Sequence, residues 1–429
     1  MKSLKILSPL HHLPNTTSDI TIFFEQIIPF LKKSYSVELY FLVYQPEKLT
    51  PFQLNSKIGK SLDIHNFKNA LDVISQIKPD LVFADATNSL IDYALSLAAK
   101  TLSIPVISGF YSDIPIPRKQ TTLIYSYFSR FFEKTVPTDT SDSDKKFMKR
   151  GRFFLYKYIF LLKTQLAIKW NFFKIIHNSI KLWYTYLTET SYLMNPMFSN
   201  TLHWVEGRLM LNRLIEAGFA QKSLILTGSS HYDAIFDNLK NKKFPKNVNE
   251  LKVLCAPGTL YEHGFWTKQQ NEFFLTTVLE KLSKNDKIHL TLKIHPSTAN
   301  FEYYQNLANN VNPSIIVQQK GNFLDYLQDS DVVITTHSSS TAIIYSLLLR
   351  IPIIIFNPFD IKDLFIEYNL AFECKTIEEL DSVINNAIST PPNEENISKF
   401  IDDYLYKVDG KSSERICNAM ISLLDKTSR

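Results

Sequence analysis

Two short stretches carry residues suited to holding an anionic group. One is His295, in the run Leu292–Pro296, LKIHP. The other begins where the apolar run Val332–Ile334 stops at Thr335, Thr336, His337 and the serines Ser338, Ser339 and Ser340. A helix-compatible segment and a second apolar run, Pro352–Phe356, follow. This order, strand, loop, helix, strand, is the unit of a parallel sheet with helices on its faces. The serines fall where the helix begins, so their hydroxyls, the free N–H groups and the helix dipole suit a diphosphate. His295 ends another strand, Ile288–Ile294, and in an open parallel sheet the carboxyl ends of neighbouring strands share one crevice. Each feature alone also has a structural reading. Ser and Thr are ordinary helix caps, and a His before Pro is commonly a loop residue. Together they favour an anion site.

The HP pair, the serine pair after an apolar strand, and LLLRIPIII followed by NPFD resemble the C-terminal half of GT-B glycosyltransferases that build bacterial surface polysaccharides. The similarity extends to the CDP-glycerol glycerophosphotransferase-like, polysialyltransferase-like and capsule Kdo-transferase-like groups. It implies an α/β fold of two Rossmann-like domains facing a cleft. It also implies that His295, Ser338 and Ser339 contact the donor's phosphates. Many GT-B enzymes place an acidic residue about seven positions before the Pro of IPIII, where it holds the donor ribose. Here that position is Tyr345.

Composition sets the frame. A chain of 429 residues exceeds one ordinary core, and 45% hydrophobic with 21% charged residues describes a globular protein. Cys255, Cys374 and Cys417 are far apart in sequence, which argues against a disulfide framework or a zinc site and fits a reducing cytoplasm. The apolar run near the N-terminus is too short for a signal peptide and reads as a strand, Leu4–Leu7. No apolar run is long enough to span a bilayer.

Repeated strand–helix alternation then predicts strands at Val37–Val43, Leu81–Ala84 and up to about Gly109, with helices over Ile20–Lys32 and Leu90–Lys100. The pattern resumes at Leu202 with a helix over Arg208–Ala217 stopped by Gly218. A strand over Val253–Ala256, a helix over Gln269–Leu282 and terminal helices over Thr376–Ile388, Ile397–Tyr406 and Lys411–Leu424 complete the expectation. The domains are expected at 1–243 and 250–400, with 401–429 crossing back to the first.

Residues 138–190 break the pattern, as an insertion on the first domain. Between Lys145 and Thr188 there is no Asp or Glu, while ten Lys and Arg residues alternate with Phe, Tyr, Trp, Leu and Ile. A basic aromatic segment of this kind suits an interface with anionic lipid, and equally a surface on which lysine stems lie over packed aromatics. No nucleic-acid-binding pattern accompanies it.

Transfer from a nucleotide donor requires neutralisation of the departing phosphate and a base for the acceptor hydroxyl. For the first, the candidates are His295, His337, Ser338, Ser339 and Ser340, with Gly258, Thr259, Lys293 and Tyr345 expected in the donor cleft. For the second they are His11, His12, Asp85 and Asp113, with no assignment among them. The expected substrates are a CMP-, CDP- or UDP-linked donor and a glycan or lipid-linked acceptor, with no obligatory metal or cofactor. The expected location is the cytoplasm, with peripheral attachment to the inner face of the plasma membrane as the alternative that residues 145–188 leave open. Sugar transfer is the first reading and CDP-glycerol-type glycerophosphate transfer the second. A UDP-sugar 2-epimerase, which would carry a GTRPE-like start missing here, a non-catalytic GT-B scaffold and a membrane adaptor complete the alternatives.

Overall fold

The computed structural model describes residues 1–10, 19–44, 59–85, 89–110, 155–188, 195–239, 250–262, 266–295, 300–336 and 340–427. Two compact units divide them. One holds the described residues up to Asp233 together with those from Asp403 onward, and the other runs from Ala234 to Asp402.

The first unit is built on a seven-stranded parallel sheet, ordered β3-β2-β1-β4-β5-β6-β7. Its strands are β1 (Lys2–Leu10), β2 (Tyr35–Val43), β3 (Lys60–Asp63), β4 (Leu81–Phe83), β5 (Val106–Phe110), β6 (Leu202–Val205) and β7 (Leu224–Leu226). β1 pairs β2 over nine residues, so the first strand is longer than Leu4–Leu7. One face packs against the helices Asp19–Leu31 and Ser412–Thr427 through Phe23, Phe24, Phe83, Trp204, Ile416 and Met420. On the other face lie the helices Ala70–Ile77, Leu90–Thr101, 155–167 and Phe172–Thr188.

The expected helix ending at Ala217 is observed over Arg208–Glu216. Gly218 follows at φ +95° and its N–H donates to Ile215 O at 3.0 Å, a turn that glycine adopts without steric cost. Gly109 serves a different need. A Cβ there would lie 2.2 Å from the Trp204 ring, which stacks on Phe23 with ring centroids 4.7 Å apart.

The second unit has a six-stranded parallel sheet, ordered β10-β9-β8-β11-β12-β13. It comprises β8 (Leu251–Ala256), β9 (Ile288–Lys293), β10 (Ile316–Gln318), β11 (Val332–Thr335), β12 (Ile353–Phe356) and β13 (Phe372–Cys374). Helices Lys268–Ser283, Phe301–Val311 and Leu380–Ser389 cover one face. Phe323–Gln328 and Ser340–Leu349 cover the other.

Three edge strands, β3, β10 and β13, carry too few apolar residues to stand out in the sequence. The helix expected from Thr376 starts only at Leu380. The Lys375 and Thr376 amides donate instead to the Glu379 carboxylate, which holds a turn ahead of it. The helix expected over Ile397–Tyr406 is two pieces, Glu394–Phe400 and a π-helical turn Ile401–Leu405, ended by Tyr406 at φ +62°. Cys255, Cys374 and Cys417 are buried free thiols.

Candidate functional site

In the second unit the chain builds β8, β9 and β10 outward on one side, then returns to place β11 beside β8 and continues through β12 to β13. The strand order therefore reverses between β8 and β11, and the turns at their carboxyl ends border the position where open α/β sheets bind ligands. Those turns are tied together. The Gly258 N–H donates to Thr336 Oγ1 at 3.0 Å, and Thr335 Oγ1 donates to Ala256 O at 2.7 Å. Both threonines are fully buried. Spacing alone marked them only as the end of an apolar run.

Gly258 and Thr259, half-buried, follow β8 at this edge, and exposed His295 follows the neighbouring β9. Ser340 opens the ten-residue helix that follows β11. His337, Ser338 and Ser339 lie outside the described residues. The sheet order thus brings Gly258, Thr259, His295 and the helix start to one edge across three adjacent strands.

Two expected cleft residues are engaged in packing. Lys293 is buried, and its Nζ donates to Ile294 O at 3.2 Å and Gln319 O at 2.8 Å beneath the Tyr326 ring. Gln319 Nε2 in turn donates to His295 O at 3.4 Å, so the lysine pins the turn that carries His295. Burial lowers the ammonium pKa. Tyr345 packs in an apolar cluster with Phe323, ring centroids 6.2 Å apart. Burial pushes its phenol up to about 12, which keeps the hydroxyl neutral.

In the first unit, Asp85 lies just past the carboxyl end of β4 and is half-buried. β4 pairs β1 at Leu7–Val82, so Asp85 stands as many residues beyond that pair as Leu10 does. His11, His12 and Asp113 lie outside the described residues. Glu206, a buried acid just after β6, shares the carboxyl edge with Asp85 and was not singled out from the sequence.

A buried network holds that edge in register. Asn200 N–H donates to His203 Nε2 at 2.7 Å, so the proton of the neutral ring sits on Nδ1, which bonds Ser108 Oγ at 2.8 Å. Asn200 Nδ2 also reaches Ala84 O at 2.8 Å, and Ser96 Oγ donates to Asn200 Oδ1 at 2.7 Å. Burial, then the Lys100 charge, pull the His203 pKa down to about 3. His203 is therefore a neutral structural group linking β4, β5, β6 and the helix Leu90–Thr101.

Among the described residues no group of three or more His, Cys, Asp or Glu side chains could hold a metal ion. No described helix is long and apolar enough to cross a membrane.

Residues 213–422 match the family model of CDP-glycerol:poly(glycerophosphate) glycerophosphotransferase. No curated protein matches the chain. The putative UDP-N-acetylglucosamine 2-epimerase of Listeria monocytogenes is similar in structure, with a TM-score of 0.52 at 14% identity, covering 99% of this chain and 97% of that one. The UDP-GlcNAc 2-epimerase of Methanocaldococcus jannaschii has a TM-score of 0.52 at 14% identity, over 98% and 100% of the two chains. The calicheamicin glycosyltransferase CalG4 has a TM-score of 0.51 at 11% identity, over 100% of both. At such identities the likeness is one of fold, and the fold is GT-B.

Proposed function

We propose that this GT-B fold protein, which carries a domain of the CDP-glycerol:poly(glycerophosphate) glycerophosphotransferase family, transfers glycerol phosphate from CDP-glycerol to a polymer hydroxyl. The observation that carries this reading is the family match over 213–422, a span that contains the whole six-stranded sheet and its switch point. It puts glycerophosphate transfer ahead of the sugar transfer that the sequence suggested first, and a CDP-linked donor ahead of CMP- or UDP-linked ones.

The chemistry is attack by the acceptor oxygen on the glycerol-bearing phosphorus. A new P–O bond forms, the P–O–P anhydride bond breaks, CMP leaves and the acceptor proton passes to a base. Charge builds on the transferred and departing phosphates, and donors preorganised around them lower the barrier. In our reading His295, the hydroxyls of Ser338 and Ser339 and the start of the Ser340–Leu349 helix supply that stabilisation. Gly258 leaves room for the nucleotide. The base is one of His11, His12, Asp85 and Asp113. The acceptor is a polymer or lipid-linked glycan at the cytoplasmic face of a membrane, against which residues 145–188 rest.

Two measurements on the purified protein test this: thermal shift with CDP-glycerol, UDP-GlcNAc and CMP-linked sugars, and CMP release with a poly(glycerophosphate) acceptor. The expected result is a saturable rise in Tm with CDP-glycerol and acceptor-dependent CMP release. A shift with UDP-GlcNAc and none with CDP-glycerol would overturn the proposal in favour of sugar chemistry.

A further inference from the structure

The helices 155–167 and Phe172–Thr188 are covered by the core of the first unit on one side only. At about 100° per residue, the second of them divides into three faces. Ile175, Asn178, Leu182 and Thr185 turn inward, and Ile175, Leu182 and Thr185 are buried. Phe172, Ile176, Ile180 and Trp183 form an exposed apolar stripe that Phe173 and Tyr184 widen. Lys174, His177 and Lys181 line the far border of that stripe.

The apolar face is far too exposed for ordinary surface. Phe173 is 81% exposed, and Ile180 and Tyr184 are each 63% exposed. The first helix adds Leu155, Ile159 and Leu166 at helical spacing, so nine of the sixteen exposed large apolar residues among those described fall within 155–184. Between the two helices runs an open apolar groove of about 530 Å³. A contiguous apolar patch of this kind marks a binding surface.

Charge identifies the occupant. Within 145–188 there are ten basic residues and no acid, so a surface that meets this segment over its whole length is anionic. An apolar stripe bordered by lysines, on a helix too short and too charged to span, is the pattern of a helix lying in a bilayer interface. We infer that the exposed face of the Phe172–Thr188 helix docks on an anionic lipid surface. Phe172, Phe173, Ile180 and Tyr184 enter the acyl boundary, while Lys174 and Lys181 meet the headgroups. The inference rests on the reading that the acceptor is membrane-borne and supplies the surface responsible.

The test is co-sedimentation of the full chain with phosphatidylglycerol-containing and with pure phosphatidylcholine vesicles. The expected result is binding to the anionic vesicles that weakens as salt rises, and little binding to the neutral ones. Ile180→Ser/Tyr184→Ser should lower partitioning at least about tenfold, because two large apolar side chains no longer enter the lipid. Lys174→Gln/Lys181→Gln should remove the preference for anionic lipid. All four side chains are exposed, so the melting temperature should hold in both variants. Equal partitioning of wild type and the apolar-face variant would overturn the docking. So would a wild-type dimer in sedimentation velocity that the same variant dissociates, since a second copy would then cover the face. CDP-glycerol thermal shift on the same proteins separates the two proposals: loss of that shift with vesicle binding intact counts against the transferase reading alone.

Discussion

The Thr336 hydroxyl accepts the Gly258 amide proton across 78 positions of sequence, with 3.0 Å between N and O. With the bond from Thr335 to Ala256 O, it couples the turn after β8 to the turn after β11 at the point where strand order reverses. Thr336→Val removes the acceptor but keeps the shape. It should cost roughly 1–3 kcal/mol, the usual penalty for stranding a buried polar partner. It should also weaken CDP-glycerol binding about tenfold, because the Gly258 turn loses its anchor. Thr336→Ser should restore both. Thermal melts with and without nucleotide decide it, and a Val variant with unchanged affinity would detach this contact from the donor site.

His295 is exposed at the carboxyl end of β9, so removing its side chain should not open the core. We expect His295→Ala to reduce CMP release by at least about a hundredfold, a loss typical of one transition-state donor. The melting temperature should stay nearly constant. Ser339→Ala should act in the same direction. A large drop in melting temperature for His295→Ala would instead make the residue structural.

The His203 pKa is depressed from 6.5 to about 3, so the unfolded chain binds its proton first as pH falls. The stability this group contributes is complete above about pH 6.5 and is lost as pH falls toward 3, at about 1.4 kcal/mol per unit within that window. Urea titrations at pH 7.0 and 5.0 should show the wild type losing stability. His203→Gln, less stable at pH 7, should show a flatter profile. Identical slopes for the two proteins would mean that another group governs the acid limb.

Gly109→Ala sets a Cβ 2.2 Å from the Trp204 ring, closer than any real contact. It should destabilise the protein by about 1–3 kcal/mol or more through overpacking. Adding Trp204→Leu should recover part of the loss by vacating the space. A double variant no more stable than Gly109→Ala would show that the clash is not with the indole.

Local sequence determined the alternation of strands and helices, the stop at Gly218, the position of His295 just past β9 and of Ser340 at a helix start. Each is set by residues within a few positions of one another: an apolar run, a glycine at positive φ, a hydroxyl before a helix. The edge strands β3, β10 and β13 stayed hidden because an edge needs little apolar surface. The delay of one late helix to Leu380 depended on which amides the Glu379 carboxylate takes, and spacing does not encode that. Only the tertiary structure decided that Gly258 and Thr336 meet, that Lys293 pins the His295 turn, and that Tyr345 packs against Phe323. It alone decided which face of the Phe172–Thr188 helix is left open. These outcomes depend on strand order and on which helix covers which face of a sheet. Both follow from crossover connections and the burial of apolar surface over the whole unit, so no short window of sequence contains them.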